Sequence, residues 1–220
     1  MNAPARSVAA LLLDLDGTLV DSEPLQREGY RRYFASRGWE VPDLSVFTGR
    51  RAEDVLPTLD GPWRDEDHAG IAREVTDLVP RDVAPAAVPG APELIRAAAD
   101  AGVRIAVVTS AGAAWVQQAV GDGLGLLDLV EVVVTAEDVV DGKPHPAGYL
   151  LACERLGVHP GTALAAEDST AGVRAAVAAG VGRVVGVTTS RPAAELRDAG
   201  AHATYPDLRT VAEQVRRGAP

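Results

Sequence analysis

The sequence predicts an α/β fold, in which a Rossmann-like parallel sheet forms the core and a small helical domain is inserted as a cap. Short apolar runs alternate with alanine-rich amphipathic stretches from about residue 88 onward. Strands that are apolar throughout and alternate with helices are typical of parallel βαβ units, whose sheet is buried on both faces. Residues from about 22 to 87 show helical spacing and no comparable strand, which indicates a helical insert.

The core domain is predicted to comprise residues 1–20 and 88–220, with a sheet built from five apolar runs. The first run covers about residues 8–14, and the others are VRIAVVTS (103–110), LVEVVVTAE (129–137), TALAAEDS (162–169) and VGRVVGVTT (181–189). Amphipathic stretches between the runs predict helices at 91–101, 113–121, 146–156, 171–179 and 193–199.

The insert, residues 21–87, is predicted to be a helical cap domain. Its segment EPLQREGYRRYFASRG places Leu25, Tyr30, Tyr33 and Phe34 on one broad face. Polar segments follow, and the proline-rich PAAVPGAPELI leads back to the core. Such an insert can lie over the strand ends as a lid, or it can be a helical subdomain with no gating role, and composition leaves both open.

Composition and charge exclude several classes of function. The chain has 220 residues and a net charge of −10 with no basic stripe, which argues against a nucleic-acid partner. Its apolar runs are too short to span a membrane, and its first residues lack the pattern of a secretory signal. The single cysteine, Cys153, fits a reducing compartment. We therefore expect a cytoplasmic protein without membrane or nucleic-acid partners.

Polar side chains follow four of the predicted strands at the point where each ends. In chain order they are Asp14 and Asp16, then Thr109 and Ser110, then Lys143, and finally Glu167 and Asp168. Ligands of a parallel α/β sheet bind beyond the carboxyl ends of its strands, so these side chains are expected to meet at one rim. Lys143 is the only lysine among 21 basic residues, which invites a functional reason for it.

The acids at this rim predict a metal site. Neighbouring carboxylates repel one another, so such a cluster is expected to hold a cation. Oxygen ligands favour a hard ion, and Mg²⁺ is the common choice beside phosphate. The four histidines show no zinc-ligand spacing.

The same residue types suit phosphoryl transfer. A carboxylate can attack phosphorus, and a second acid can protonate the leaving oxygen and later activate water. A metal ion and a lysine can neutralise the transferring group, and hydroxyls with backbone N–H groups can hold its oxygens. Gly17 permits a tight turn beside the first acid.

Four segments, DLDGTLVDS, VVTS, GKPHP and AAEDSTAG, resemble in order the four motifs of the haloacid dehalogenase superfamily. The resemblance covers essentially the whole chain and is to the capped phosphatase and β-phosphoglucomutase-like branch, with the cap inserted after the first motif. It implies that Asp14 is the nucleophile and Asp16 the general acid/base. It also implies that Thr109, the backbone at Ser110, and Lys143 bind the phosphoryl group.

The resemblance implies a Mg²⁺ site as well. Asp14, the backbone carbonyl of Asp16, and Asp168 would bind the ion directly, and Glu167 would bind it directly or through water. Because Asp16, Glu167 and Asp168 are all present, dehalogenase chemistry is disfavoured. The insert contains no lysine, which speaks against the phosphonate-cleaving branch.

Departures from the β-phosphoglucomutase pattern favour a phosphatase. Gln26 and Ala52 stand where that branch carries a histidine and an arginine, although Arg50 and Arg51 lie next to Ala52. These two arginines either contact a sugar phosphate between cap and core or are solvent-exposed. The third motif has Ala147 where an acid is usual, and we expect a small effect on the following helix only.

The leading hypothesis is a Mg²⁺-dependent phosphatase of small phosphorylated metabolites, namely sugar or polyol phosphates, acting through an aspartyl-phosphate. A sugar phosphomutase with the same core is the first alternative, and a non-catalytic binding protein on this fold is the second. The complete set of acids argues against the second alternative. A monomer or weak homodimer is expected.

Overall fold

The computed structural model describes residues 8–47, 52–80 and 82–218. Its strands are β1 (Ala10–Leu13), β2 (Val20–Asp21), β3 (Ala86–Ala87), β4 (Arg104–Val108), β5 (Val132–Val134), β6 (Ala163–Glu167), β7 (Arg183–Val187) and β8 (Ala203–Tyr205). Six of them form a parallel sheet in the order β5-β4-β1-β6-β7-β8. The central strand, β1, therefore lies between the two strands that carry the second and fourth predicted motifs.

The first three helices lie in the insert, and the later ones alternate with the strands of the core. The helices are α1 (Glu23–Ser36), α2 (Ala52–Val55), α3 (His68–Leu78), α4 (Ala91–Asp100), α5 (Ala113–Val116), α6 (Ala147–Leu156), α7 (Thr170–Ala178), α8 (Ala193–Asp198) and α9 (Arg209–Arg216). A π-helical segment, Gln117–Gly123, continues α5. Short 3₁₀ turns lie at Leu44–Phe47, Leu56–Thr58, Leu127–Leu129, Ala136–Asp138 and Pro160–Thr162.

The sheet is buried on both faces, which explains why its strands are apolar throughout. Along β1, Leu11 and Leu13 join a core cluster that includes α4 and α9. Ala10 and Leu12 point the other way and join a cluster formed with α6, α7 and α8. The predicted α/β class, a parallel sheet with helices on both faces and a helical insert, is confirmed.

The helices α1 to α3 have a hydrophobic core of their own. Tyr30, Tyr33 and Phe34 of α1 are buried there, and the rings of Phe34 and Trp63 lie 5.0 Å apart between centroids. Leu25, which was expected on the same apolar face, is only half-buried and lies outside this cluster. The helical unit is thus held together by aromatic packing rather than by the sheet.

A short antiparallel ribbon joins the helical unit to the sheet. Val20 and Asp21 of β2 pair with Ala87 and Ala86 of β3, so the outgoing and returning chains run side by side. The expected domain boundaries fall on this ribbon, and the division into two domains stays a prediction. Within the described ranges, no helix is both long and apolar enough to cross a membrane.

Candidate active site

Asp14 follows β1 directly and is nearly buried at the carboxyl edge of the sheet. Its backbone N–H donates to the carbonyl of Ala166 at 3.1 Å, which fixes the residue against β6. Gly17 then turns the chain with φ of +79°, a conformation that favours glycine. A Cβ at Gly17 would also overlap the carboxylate of Asp168. The glycine is therefore required both by the turn and by the close approach of a second acid.

Thr109 and Ser110 follow β4 on one side of β1. Thr109 is buried, and its Oγ1 accepts a hydrogen bond of 3.0 Å from the backbone N–H of Ala111. Ser110 is exposed at the edge of the cavity described below. The hydroxyl and the backbone after β4 therefore face the same space as Asp14.

Lys143 connects the two sides of the site. Its Nζ donates to Asp14 Oδ1 at 2.5 Å, to Glu167 Oε1 at 2.6 Å and to the carbonyl of Val108 at 3.0 Å. The ammonium has three donors, and these three acceptors use all of them. Lys143 is thus fixed beside the carboxylate of Asp14.

Glu167 is fully buried at the end of β6 and accepts several hydrogen bonds. Besides Lys143, the hydroxyl of Tyr149 donates to its Oε1 at 2.9 Å. The hydroxyl of Ser169 donates to its Oε2 at 3.0 Å. Ser169 also caps α7 by accepting from the N–H of Gly172 at 3.0 Å. Both oxygens of Glu167 are therefore engaged by protein donors.

Asp14, Glu167 and Asp168 form a buried acidic cluster whose ligand atoms all lie within 4.8 Å of one another. Burial and the nearby Glu167 raise the pKa of Asp14 to about 7, although Lys143 acts in the opposite direction. Burial, together with repulsion from Asp14 and Glu167, raises the pKa of Asp168 well above its usual value. The cluster holds more negative charge than Lys143 balances, and a divalent cation fits these oxygen donors.

Asp16 is placed differently from the other acids. Its Oδ1 accepts hydrogen bonds from Ser22 Oγ at 2.5 Å, Gln26 Nε2 at 2.9 Å and Trp115 Nε1 at 2.9 Å. Burial raises the pKa of Asp16, and these three donors oppose the rise because they favour the carboxylate. Its carboxylate is outside the acidic cluster of the described residues, which suits a proton-transfer role better than a ligand role.

A cavity of about 630 Å³ separates the strand ends from the helical unit. Asp14, Asp16, Thr109, Lys143 and Asp168 line it from the sheet side, and Tyr30 and Val75 are among the residues that line it from the helical side. The site is therefore a chamber between the two parts of the chain, large enough for a small ligand.

Six of the seven predicted core residues line this cavity, and Glu167 lies behind it, in contact with Lys143. The two cap arginines, Arg50 and Arg51, lie outside the described residues. Trp115 and Tyr149 were not predicted as site residues. Trp115 lay within a predicted helix six residues after Thr109, and an aromatic residue that close to a motif was the available signal.

The chain is similar in sequence to known proteins. Residues 8–180 match the sequence family described as haloacid dehalogenase-like hydrolase. Validoxylamine A 7'-phosphate phosphatase of Streptomyces hygroscopicus subsp. limoneus is 38% identical over 192 residues, which cover 86% of this chain and 89% of that protein. The phosphorylated carbohydrates phosphatase of Thermotoga maritima is 33% identical over 195 residues, covering 82% and 86% of the two chains.

The chain is also similar in structure to solved proteins. The crystal structure of CbbY from Rhodobacter sphaeroides in complex with phosphate superposes with a TM-score of 0.81 and 28% identity. The superposition covers 93% of this chain and 96% of that chain. From the sequence match and the shared fold together, the chain belongs to the haloacid dehalogenase-like hydrolase family.

Proposed function

We propose that the protein is a Mg²⁺-dependent phosphatase that hydrolyses small phosphorylated carbohydrates through an aspartyl-phosphate on Asp14. Family membership and the phosphatase relatives make the chain a phosphoric monoester hydrolase. The substrate class, the metal and the residue roles are the proposal. The observation that carries it is the contact of Lys143 with Asp14, at a strand end that opens into the cavity.

In the first step, the carboxylate of Asp14 attacks phosphorus and the bond from phosphorus to the leaving oxygen breaks. Asp16 gives its proton to that oxygen, so the product leaves as an alcohol. In the second step, water attacks phosphorus and gives a proton to Asp16, and the bond to Asp14 breaks. Phosphate is released, and both carboxyl groups return to their starting states.

The phosphoryl group is held by groups that already face Asp14. Lys143 offers positive charge beside the attacking carboxylate, and Thr109 with the backbone at Ser110 offers hydrogen-bond donors. These groups stabilise the charge that is spread over the phosphoryl oxygens in the transition state.

The cluster described above supports the metal assignment. Asp14, Asp168 and the backbone carbonyl of Asp16 would hold Mg²⁺, which, when bound, supplies further positive charge to the phosphoryl oxygens. Glu167 has both oxygens engaged by protein donors, so we propose that it acts through Lys143 or through water rather than as a direct ligand.

The substrate class rests on the relatives and on the cavity. The relatives named above act on validoxylamine A 7'-phosphate and on phosphorylated carbohydrates. The cavity combines apolar side chains such as Tyr30 and Val75 with polar ones such as Gln118, which suits the mixed surface of a sugar or polyol. Contact of Arg50 and Arg51 with the substrate stays a prediction, as do a cytoplasmic location and a monomer or weak homodimer.

The test is phosphate release from sugar, polyol and nucleotide monophosphates, first with Mg²⁺ and then with EDTA. We expect Mg²⁺-dependent release concentrated on a few carbohydrate monophosphates. Asp14→Asn should abolish release and keep the fold, while Asp21→Asn, at an exposed position on β2, should leave it unchanged. Release retained by Asp14→Asn would contradict the proposal.

A sugar phosphomutase is the second candidate, because a β-phosphoglucomutase-like core performs the same first step. The structure of a β-phosphoglucomutase-related protein from Thermotoga maritima is 29% identical, with a TM-score of 0.71. A mutase returns the phosphoryl group to another hydroxyl of the sugar. Formation of an isomeric sugar phosphate in place of free phosphate would identify it.

A further inference from the structure

We propose that Trp115 is a positioning residue for the reaction, whose indole N–H holds the carboxylate of Asp16 in place within the cavity. This inference rests on the proposed function, because it assigns Trp115 a part in the proton transfers of Asp16. The observation behind it is the 2.9 Å hydrogen bond from Trp115 Nε1 to Asp16 Oδ1, which joins residues 99 positions apart.

Three donors from two segments meet on one oxygen. Ser22 precedes α1 and Gln26 lies in its first turns, whereas Trp115 lies in α5 on the sheet side. Among the described residues, Trp115 is thus the donor that ties Asp16 to the core rather than to the helical unit.

The indole is well suited to this task. Its ring packs against the core cluster that contains Leu11 and Leu13, and the backbone N–H of Trp115 donates to the carbonyl of Gly112 at 3.1 Å. An indole N–H donates and cannot accept, so it bonds to an oxygen of Asp16 that does not itself donate a proton to it. Among the described residues, the side-chain hydrogen bonds of Asp16 go to Oδ1. Oδ2 is then the oxygen that gives and takes the proton.

Loss of the indole donor leaves the carboxylate of Asp16 freer to rotate. General acid–base catalysis contributes about 10²–10⁴-fold, and small misplacements of a catalytic group remove much of it. The loss should depend on how strongly the leaving oxygen needs a proton. An alkoxide leaving group needs one, whereas nitrophenolate leaves without it.

Trp115→Phe keeps an aromatic ring in the cavity and removes the donor. The experiment compares kcat/KM for two monoesters, namely the alkyl phosphate that the wild type hydrolyses best and p-nitrophenyl phosphate. Since kcat/KM reports steps up to the transfer to Asp14, we expect a fall of roughly 10-fold or more for the alkyl ester and less than about twofold for the aryl ester. The later attack of water still needs Asp16, so the aryl ester should also show a burst of nitrophenolate.

Trp63→Phe is the matched control. The Nε1 of Trp63 is buried in the helical unit without a hydrogen-bond partner among the described residues. Its replacement removes an indole N–H without touching Asp16, so both values of kcat/KM should stay near those of the wild type. If Trp115→Phe fails to fold, Trp115→Leu removes the same donor and tests the same difference.

The outcomes separate this inference from the proposed function. If the wild type is active and Trp115→Phe lowers kcat/KM equally for the two esters, or for neither of them, the positioning role alone is overturned. A wild type that releases phosphate from no monoester overturns the proposed function, and this inference with it. A selective loss on the alkyl ester supports both.

Discussion

Lys143 and Glu167 form an ion pair of 2.6 Å between Nζ and Oε1, with the glutamate fully buried and the lysine side chain 10% exposed. Burial alone lowers the pKa of Lys143, but Asp14 and Glu167 outweigh it and raise the pKa above its usual value. Such a pair is stabilising only if its remaining hydrogen-bonding groups are satisfied. Tyr149 supplies one of the missing donors, to the same oxygen of Glu167.

Tyr149→Phe should therefore destabilise the protein. Removal of the hydroxyl takes a donor from a buried carboxylate, and hydrogen bonds to charged groups contribute about 1.5–3 kcal/mol. We expect the free energy of unfolding in urea to fall by about 2 kcal/mol. Tyr205→Phe is the control, because its hydroxyl is half-buried at the sheet edge and accepts a long bond of 3.3 Å from Gln214. Equal stability of wild type and Tyr149→Phe would show that the bond contributes nothing.

Asp168→Asn should change stability in opposite directions with and without metal. Without a divalent ion, the substitution removes a carboxylate whose pKa is raised by burial and by repulsion from Asp14 and Glu167, so the melting temperature should rise. With Mg²⁺, the wild type should gain about 2.7 kcal/mol at a concentration 100 times the dissociation constant. The variant should gain much less, since it lacks one ligand.

Thermal unfolding in EDTA and in a Mg²⁺ titration measures both effects. Asp21→Asn, at an exposed site, should follow the wild type in each condition. A variant that is less stable than the wild type in EDTA would contradict the repulsion argument. An equal response of wild type and Asp168→Asn to Mg²⁺ would remove Asp168 from the ligand set.

The sheet and the acids at its edge could be predicted because their signal is local. A buried parallel strand reads as an apolar run, and Asp14 or Asp168 follows such a run directly. Strand β8 was not predicted, because its three residues, Ala203–Tyr205, are too few to form an apolar run. Helix α9 was also missed, although it is strongly amphipathic, since no strand signal preceded it.

Two partners of the acids could not be predicted, because they come from distant segments. Trp115 lies 99 positions from Asp16, and Tyr149 lies 18 positions from Glu167. A similar case lies at the start of α6, where the backbone N–H of residue 147 has a partner that the sequence did not indicate. Ala147 stands where an acid is usual, and its backbone N–H donates to Nδ1 of His145 at 3.3 Å. Only the folded structure shows which side chains form these hydrogen bonds.

Gly172→Ala should disturb the site through Glu167. Gly172 lies in the first turn of α7, and a Cβ there would overlap the carboxylate of Glu167. That carboxylate holds Lys143 and cannot move without breaking buried hydrogen bonds. Overpacking of this kind costs about 1–3 kcal/mol, so we expect a loss of stability near the upper end and reduced phosphate release.

Gly148→Ala is the matched control for that variant, because Gly148 also lies near the start of a helix, α6. A Cβ there would meet Val108 Cγ1 at 3.2 Å, so the valine side chain has to shift by only a few tenths of an ångström. Alanine is the better helix former by about 1 kcal/mol, so this variant should be as stable as the wild type or slightly more so. Urea unfolding of both variants tests the contrast, and equal stabilities would contradict it.

Cys153 should be unreactive in the folded protein near neutral pH. Burial in the cluster beneath α6 raises the pKa of its thiol to about 11, and the thiolate is the reacting species. Labelling of the native protein by iodoacetamide should therefore be slow at pH 8 and should accelerate as the pH approaches 11. In concentrated urea the rate of labelling should already be high near pH 8.5, the ordinary range of a free cysteine.

The same shift makes stability depend on pH. Because the folded state favours the neutral thiol, the contribution of Cys153 to stability is full below about pH 8.5 and is lost as the pH rises toward 11. Native labelling at pH 8 as fast as in urea would show that Cys153 is accessible and that its pKa is not raised.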